Sequence, residues 1–203
     1  MNDPLLAVDV AGIRFQNPVL LASGTAAYGR EVAGVIDLDA LGGLVTKAVS
    51  PEPRNGAPPL RVVDVPGGML NAIGLANPGV ASVVEHDLPW LAASLSRARV
   101  LVNVVGDIVE DYASVIARIG DADGVDGYEL NVSCPNTKAG GMEFGADPRA
   151  LRDVVTGARA ATRLPLFVKL SPALADIAGA AKISVDAGAD AIATVAPSFF
   201  KPP

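Results

Sequence analysis

Short apolar runs recur along this chain, separated by stretches with helical periodicity, and that alternation constrains the fold more than any other feature. The runs cover residues 18–22, 43–46, 100–104, 127–131, 166–170 and 189–195; the helical patterns cover 31–37, 79–96, 107–119, 147–162 and 176–187. The runs have strand length, and their near-continuous Val, Leu, Ile and Ala content suits strands covered on both faces. Alternating strands and helices of this kind predict βα units around a parallel sheet. Residues 6–10 and 13–15 flank Ala11-Gly12 and predict a short hairpin ahead of the main fold. The Pro- and Gly-rich segment 50–78 includes apolar stretches at 61–65 and 69–75, so it reads as an ordered loop insertion after the second strand.

Composition agrees with this architecture. Half of the 203 residues are hydrophobic and only 4% are aromatic, a profile of Val-, Leu- and Ala-rich strands under helices. The length allows one substantial core and lies at the lower limit for an α/β barrel. A net charge of −6 argues against a nucleic-acid or anionic-membrane partner. No apolar run approaches membrane-span length. The start, Met1-Asn2-Asp3-Pro4, lacks the basic-then-apolar pattern of a signal peptide. A single cysteine rules out an intrachain disulfide. The expectation is a cytoplasmic protein.

Polar residues close most of these strands. Ser23 follows the first, Lys47 the second, Asn103 falls in the third, Asn131 ends the fourth and Lys169 lies in the fifth. In a β/α barrel the C-terminal strand ends converge on one mouth, where polar residues serve ligands. Any one of them alone could be a solvated strand terminus. Lys169, between Val168 and Leu170, is harder to read that way, because a charge in a central strand needs a partner. Two lysines at such a mouth suit an anionic ligand or the electron-rich part of a reduced cofactor.

Cys134 stands just beyond Asn131, in Ser133-Cys134-Pro135-Asn136. An isolated cysteine is more often a small buried apolar residue than a reactive one. Here the proline and the following amide predict a loop on the mouth, and the cationic surroundings favour the thiolate. The lone histidine, His86, falls between Glu85 and Asp87 in a helical stretch and reads as a surface residue, which leaves a Cys-His hydrolase without support. With no Cys/His cluster, no metal site is expected.

Several segments together resemble the FMN-containing catalytic subunit of dihydroorotate dehydrogenases, most closely the NAD-linked type (class 1B). They are Ala22-Ser23-Gly24, Thr46-Lys47-Ala48, Pro53-Arg54-Asn55-Gly56, Asn71-Ala72-Ile73-Gly74-Leu75, the run from Glu129 to Asn136, and Val168-Lys169-Leu170-Ser171-Pro172. The resemblance implies a TIM (β/α)8 barrel of which about six strands are present, and oxidation of dihydroorotate to orotate in pyrimidine synthesis. It implies Cys134 as the catalytic base. Lys47, Asn71, Ala72, Ile73, Gly74, Leu75 and Asn131 would hold the substrate. Ser23, Lys47, Ala48, Asn103, Asn131, Lys169 and Val195 would contact FMN. It further implies a homodimer and a partner subunit carrying FAD and a [2Fe-2S] cluster, since one cysteine cannot ligate such a cluster.

After residue 195 the chain departs from the family. Ala196-Pro197 stands where an Asn-Thr pair typically binds substrate, and the sequence ends Phe199-Phe200-Lys201-Pro202-Pro203. The expectation is a single domain over residues 1–203, C-terminally truncated and lacking the last two βα units with their phosphate-binding loops. A non-catalytic remnant of the family is one alternative on that ground. Another is a cysteine-base flavin barrel such as dihydropyrimidine dehydrogenase, which shares the Asn-x-Ser-Cys-Pro run but tends to carry histidine where Asn136 stands. A tRNA-acting dihydrouridine synthase would want a basic surface instead.

Overall fold

A computed structural model describes residues 5–133 and 143–194. Its main sheet has six parallel strands in the order β10-β9-β8-β7-β4-β3. These are β3 (Leu20–Leu21), β4 (Gly43–Val45), β7 (Arg99–Val104), β8 (Gly127–Asn131), β9 (Leu166–Leu170) and β10 (Ala191–Thr194). Five coincide with, or lie within, a run predicted from the sequence, and β7 begins one residue ahead of its run at 100–104. Neighbours in the sheet follow chain order, as in the wall of a barrel, and β3 and β10 form its two edges among the described residues.

The period-two alternation of a strand divides this sheet into two faces. Val100, Val102 and Val104 of β7, Tyr128 and Leu130 of β8, and Leu166, Val168 and Leu170 of β9 belong to one large core shared with the helices. The helices reach that core with residues three and four apart. In α3 (Val109–Ile119) these are Tyr112, Val115, Ile116 and Ile119. In α4 (Pro148–Ala161) they are Leu151, Val154, Val155 and Ala158. The Val, Leu and Ile side chains among them each contribute about 1.5–3 kcal/mol on burial. Asp147 caps α4, accepting from Arg149 N at 2.9 Å and Ala150 N at 3.3 Å, and Pro148 occupies the first turn where its missing N–H costs nothing. Asp176 caps α5 (Ile177–Asp186) by accepting from Gly179 N at 2.8 Å. The remaining helical stretch runs as α1 (Gly79–Ser82), a π turn (Val83–Asp87) and α2 (Leu88–Ser94).

The opposite face holds a second, smaller core. Val45, Leu101 and Phe167 pack there against Ile13 and Phe15, with Ala191 at its edge. Ile13 and Phe15 come from the N-terminal hairpin, β1 (Val8–Val10) and β2 (Ile13–Phe15), which turns through Ala11 and Gly12 at positive φ. The predicted hairpin therefore forms, and it seals the inner face with apolar side chains.

Two expectations change. Residues 31–37 are not helical; they form successive turns, with Val35 N and Ile36 N both donating to Val32 O, at 2.9 and 3.1 Å. Val35 is 84% exposed, so the apparent periodicity had no apolar surface to bury and nothing to hold a helix together. Segment 50–78 is ordered, as expected, but contains an antiparallel hairpin, β5 (Val62–Val65) and β6 (Gly68–Asn71).

Asp39 ties the turn before β4 to the approach to β7. Its carboxylate accepts from Arg97 N at 2.7 Å, Ser96 N and Ala98 N at 2.9 Å, and Ser96 Oγ at 2.7 Å. Burial works to raise its pKa, but the bonds from Ala98, Arg97 and Ser96 together outweigh it and hold the carboxyl well below the usual range. The unfolded chain therefore binds more protons than the folded one over that interval. The stabilisation is complete above the unfolded value of about 4 and drains away as pH falls below it. Asp39→Asn is expected to cost about 1.5–3 kcal/mol at neutral pH. Urea midpoints measured from pH 7 to pH 3 should show the gap between the two proteins closing only below about pH 4. A gap constant over that range would reject the charge as the cause.

Candidate active site

The inner face changes character one step along its strands. Two residues beyond Leu101, Gly127 and Phe167 stand Asn103, Glu129 and Lys169, all on the same face by the strand period. Register brings them together: Asn103 lies opposite Glu129, and Asn131 opposite Lys169. Asn103 Nδ2 donates to Glu129 Oε1 at 2.6 Å, and Lys169 Nζ lies 3.5 Å from the same oxygen. Asn103 is fully buried and Glu129 nearly so. The charge that the sequence placed in a central strand at Lys169 thus has its partner, Glu129. Sequence reasoning missed that carboxylate as a site residue. The signal was there, since Glu129 shares the face of Asn131 by alternation.

Two acceptors in this layer are orphaned. Asn103 Oδ1 and Asn131 Oδ1 are buried with no hydrogen-bond partner among the described residues. A buried acceptor left in that state costs about 1–3 kcal/mol. Their arrangement therefore suits a ligand that presents N–H donors to the lumen and accepts from the lysine.

Backbone carbonyls around this layer are held by tyrosines. Tyr112 of α3 donates its hydroxyl to Asn131 O at 2.9 Å. Tyr28 donates to Ala48 O at 3.1 Å, and burial, with Asp87 and Glu31 nearby, pushes its phenol far above the usual range so that it remains a donor. Thr46, fully buried, accepts from Asn103 N at 3.1 Å and donates to Lys47 O at 3.0 Å. Lys47 itself is half-buried, its N–H bonded to Ala27 O at 2.8 Å.

The remaining predicted residues are placed as follows. Ala48 packs with Val105, and Leu75 lies against both, so the 71–75 segment approaches the second and third strands through its last residue. Gly74 and Leu75 take positive φ (69° and 53°), and a Cβ at Gly74 would lie 2.5 Å from Ala57 N, which requires glycine there. Asn77 pins this turn, donating to Leu75 O at 2.8 Å and accepting from Gly79 N at 2.9 Å and Ser50 Oγ at 3.0 Å. Arg54 ties the same insertion to the β7–α3 loop through Asp107 at 2.7 Å. Asn71, Ala72 and Gly74 are exposed and Ile73 is half-buried; among the described residues, no hydrogen bond joins their side chains to Lys47 or Asn131. Ser23 is half-buried in the turn after β3. Cys134 and Val195 lie outside the described residues. His86 is on the surface, as expected, 4.0 Å from Glu85. Among the described residues no group of three or more His, Cys, Asp or Glu side chains could hold a metal, and no helix is long and apolar enough to cross a membrane.

Comparison with known proteins bears on this arrangement. The family model described as dihydroorotate dehydrogenase matches residues 5–198. The "Dihydroorotate dehydrogenase B (NAD(+)), catalytic subunit" of Citrifermentans bemidjiense is 45% identical over 195 residues, covering 96% of this chain and 63% of that protein. A "Putative dihydroorotate dehydrogenase A (fumarate)" of Solibacter usitatus is 48% identical over 192 residues, covering 95% of this chain and 62% of its own. The chain thus spans somewhat under two thirds of these relatives. The crystal structure of DHODH from Eimeria tenella in complex with ferulenol superposes with a TM-score of 0.79 at 22% identity, covering 99% of this chain and 62% of that one. That likeness establishes the fold.

Proposed function

From the premise that this chain belongs to the dihydroorotate dehydrogenase family, we propose that it carries the catalytic side of dihydroorotate oxidation to orotate, in pyrimidine synthesis. The observation that carries the reading is the polar layer of Asn103, Glu129, Asn131 and Lys169 on the inner face, with two orphaned acceptors. FMN fits such a layer: its ring edge has an N–H for a buried acceptor and carbonyl oxygens for a lysine. Ser23, Lys47, Ala48, Asn103, Asn131, Lys169 and Val195 would hold it. When bound, FMN supplies the acceptor for the hydride leaving C6 of dihydroorotate.

The chain's own residues do the rest. The thiolate of Cys134 takes the proton from C5, which stands next to a carbonyl and needs a positioned base. Lys47 offers a cation to the substrate and shares it with the flavin. Asn131 and the 71–75 segment fix the planar substrate ring, with the turn geometry at Gly74 and Leu75 presenting backbone groups. Water is kept from below by the hairpin residues Ile13 and Phe15. Electrons would then pass to a partner subunit, which the words "catalytic subunit" in the name of the NAD(+)-type relatives support. That partner would carry FAD and a [2Fe-2S] cluster, and the assembly would work as a homodimer in the cytoplasm. The single-domain reading of residues 1–203 belongs with this proposal.

Anaerobic addition of dihydroorotate to protein reconstituted with FMN is expected to bleach the oxidised-flavin absorbance and release orotate in equal amount. Bound flavin that stays oxidised in excess dihydroorotate would reject the reading.

A further inference from the structure

Glu129 has no task in the chemistry above, yet it is 5% exposed and sits between a lysine and an amide. We infer that Glu129 is a positioning residue that sets the hydrogen-bond polarity and the charge of the lumen. An asparagine amide can present either its oxygen or its nitrogen, but an ionised carboxylate only accepts. Glu129 Oε1 therefore draws Asn103 Nδ2 towards itself and forces Oδ1 to face elsewhere, where it has no partner among the described residues. The ligand must bring a donor to that oxygen. The same carboxylate oxygen lies within ion-pair distance of Lys169 Nζ and so balances its charge while leaving the amine further N–H groups for the ligand. Buried pairs of this kind seldom add stability over apolar packing. What this pair supplies is orientation and a balanced charge at Lys169.

The inference rests on the FMN reading for its ligand but makes a claim about the protein alone, and two measurements separate them. In protein without FMN, Glu129→Asp draws the carboxylate back by one methylene, so hydrogen exchange of the Asn103 side-chain amide, followed by NMR, should be at least tenfold faster than in the parent. In protein loaded with FMN, Glu129→Gln keeps the shape and removes the charge. Lys169 is then uncompensated and favours the more electron-rich reduced flavin by about tenfold, a rise of about 30 mV in the two-electron midpoint potential. Glu129→Asp retains the charge and should hold the potential close to the parental value. Equal amide exchange in parent and Glu129→Asp, or equal potentials in parent and Glu129→Gln, would overturn the assignment. Parental protein that takes up no FMN counts against the proposed function instead, and the amide measurement then decides Glu129. That measurement also decides it if Glu129→Gln does not fold.

Discussion

Replacing Cys134 by alanine is expected to slow reduction of the flavin by dihydroorotate about 10²–10⁴-fold, the usual contribution of a positioned general base. Orotate binding should change little, because the groups proposed to hold the planar ring are untouched. The split matters: a uniform loss of binding and rate would point to a displaced loop, whereas loss of rate alone identifies the proton acceptor. The strand that delivers this residue is held firmly up to its last described positions. Tyr112 fixes the carbonyl of Asn131, and Val132, fully buried, accepts from Gly145 N at 2.9 Å. Stopped-flow measurement of flavin bleaching in parent and variant makes the comparison, and parental rates in Cys134→Ala would exclude the thiol as base.

Phe144→Ala should be the most destabilising single change near the site. Phe144 is fully buried in the main core and meets Tyr112 edge to face, with ring centroids 5.5 Å apart at 82°. Truncating such a side chain costs about 3–5 kcal/mol through lost transfer and the cavity left behind. That is a large part of the roughly 5–15 kcal/mol holding a typical domain together. The loss has a second consequence, since the ring it abandons belongs to the tyrosine bonded to the Asn131 carbonyl. Denaturant unfolding should show a lowered midpoint, and ligand binding should weaken in the fraction still folded. A midpoint shift equivalent to under about 1 kcal/mol would mean that the site repacks around the gap.

The strands were legible because burial on two faces writes itself as unbroken apolar letters, and β8 matches its prediction residue for residue. The capped helices were legible for a similar reason: Asp147-Pro148 and Asp176 announce their starts. Segment 31–37 misled because Val32, Val35 and Ile36 have helical spacing, yet Val35 and Ile36 lie exposed and only Val32 is half-buried. The β5–β6 hairpin went unread although Pro66-Gly67 between Val65 and Gly68 is a turn signal, with Gly67 at φ 84°. At the site, Asn103, Asn131 and Lys169 could be picked out one by one as polar strand residues. That Asn103 and Lys169 meet at Glu129 could not, because it depends on register between strands that only the folded sheet fixes.

Along β8 the two faces divide the constraints on the chain. Tyr128 and Leu130 look towards the helices, while Glu129 and Asn131 look into the lumen. Substitutions at the first pair change how much protein is folded; substitutions at the second change what the folded protein holds. The lumen positions can even gain stability when made apolar, since a buried ion pair is a poor use of interior space. A mutational map scored separately for abundance and for ligand binding would therefore alternate with a period of two along β7, β8 and β9. Residues joined by one peptide bond answer there to different selection.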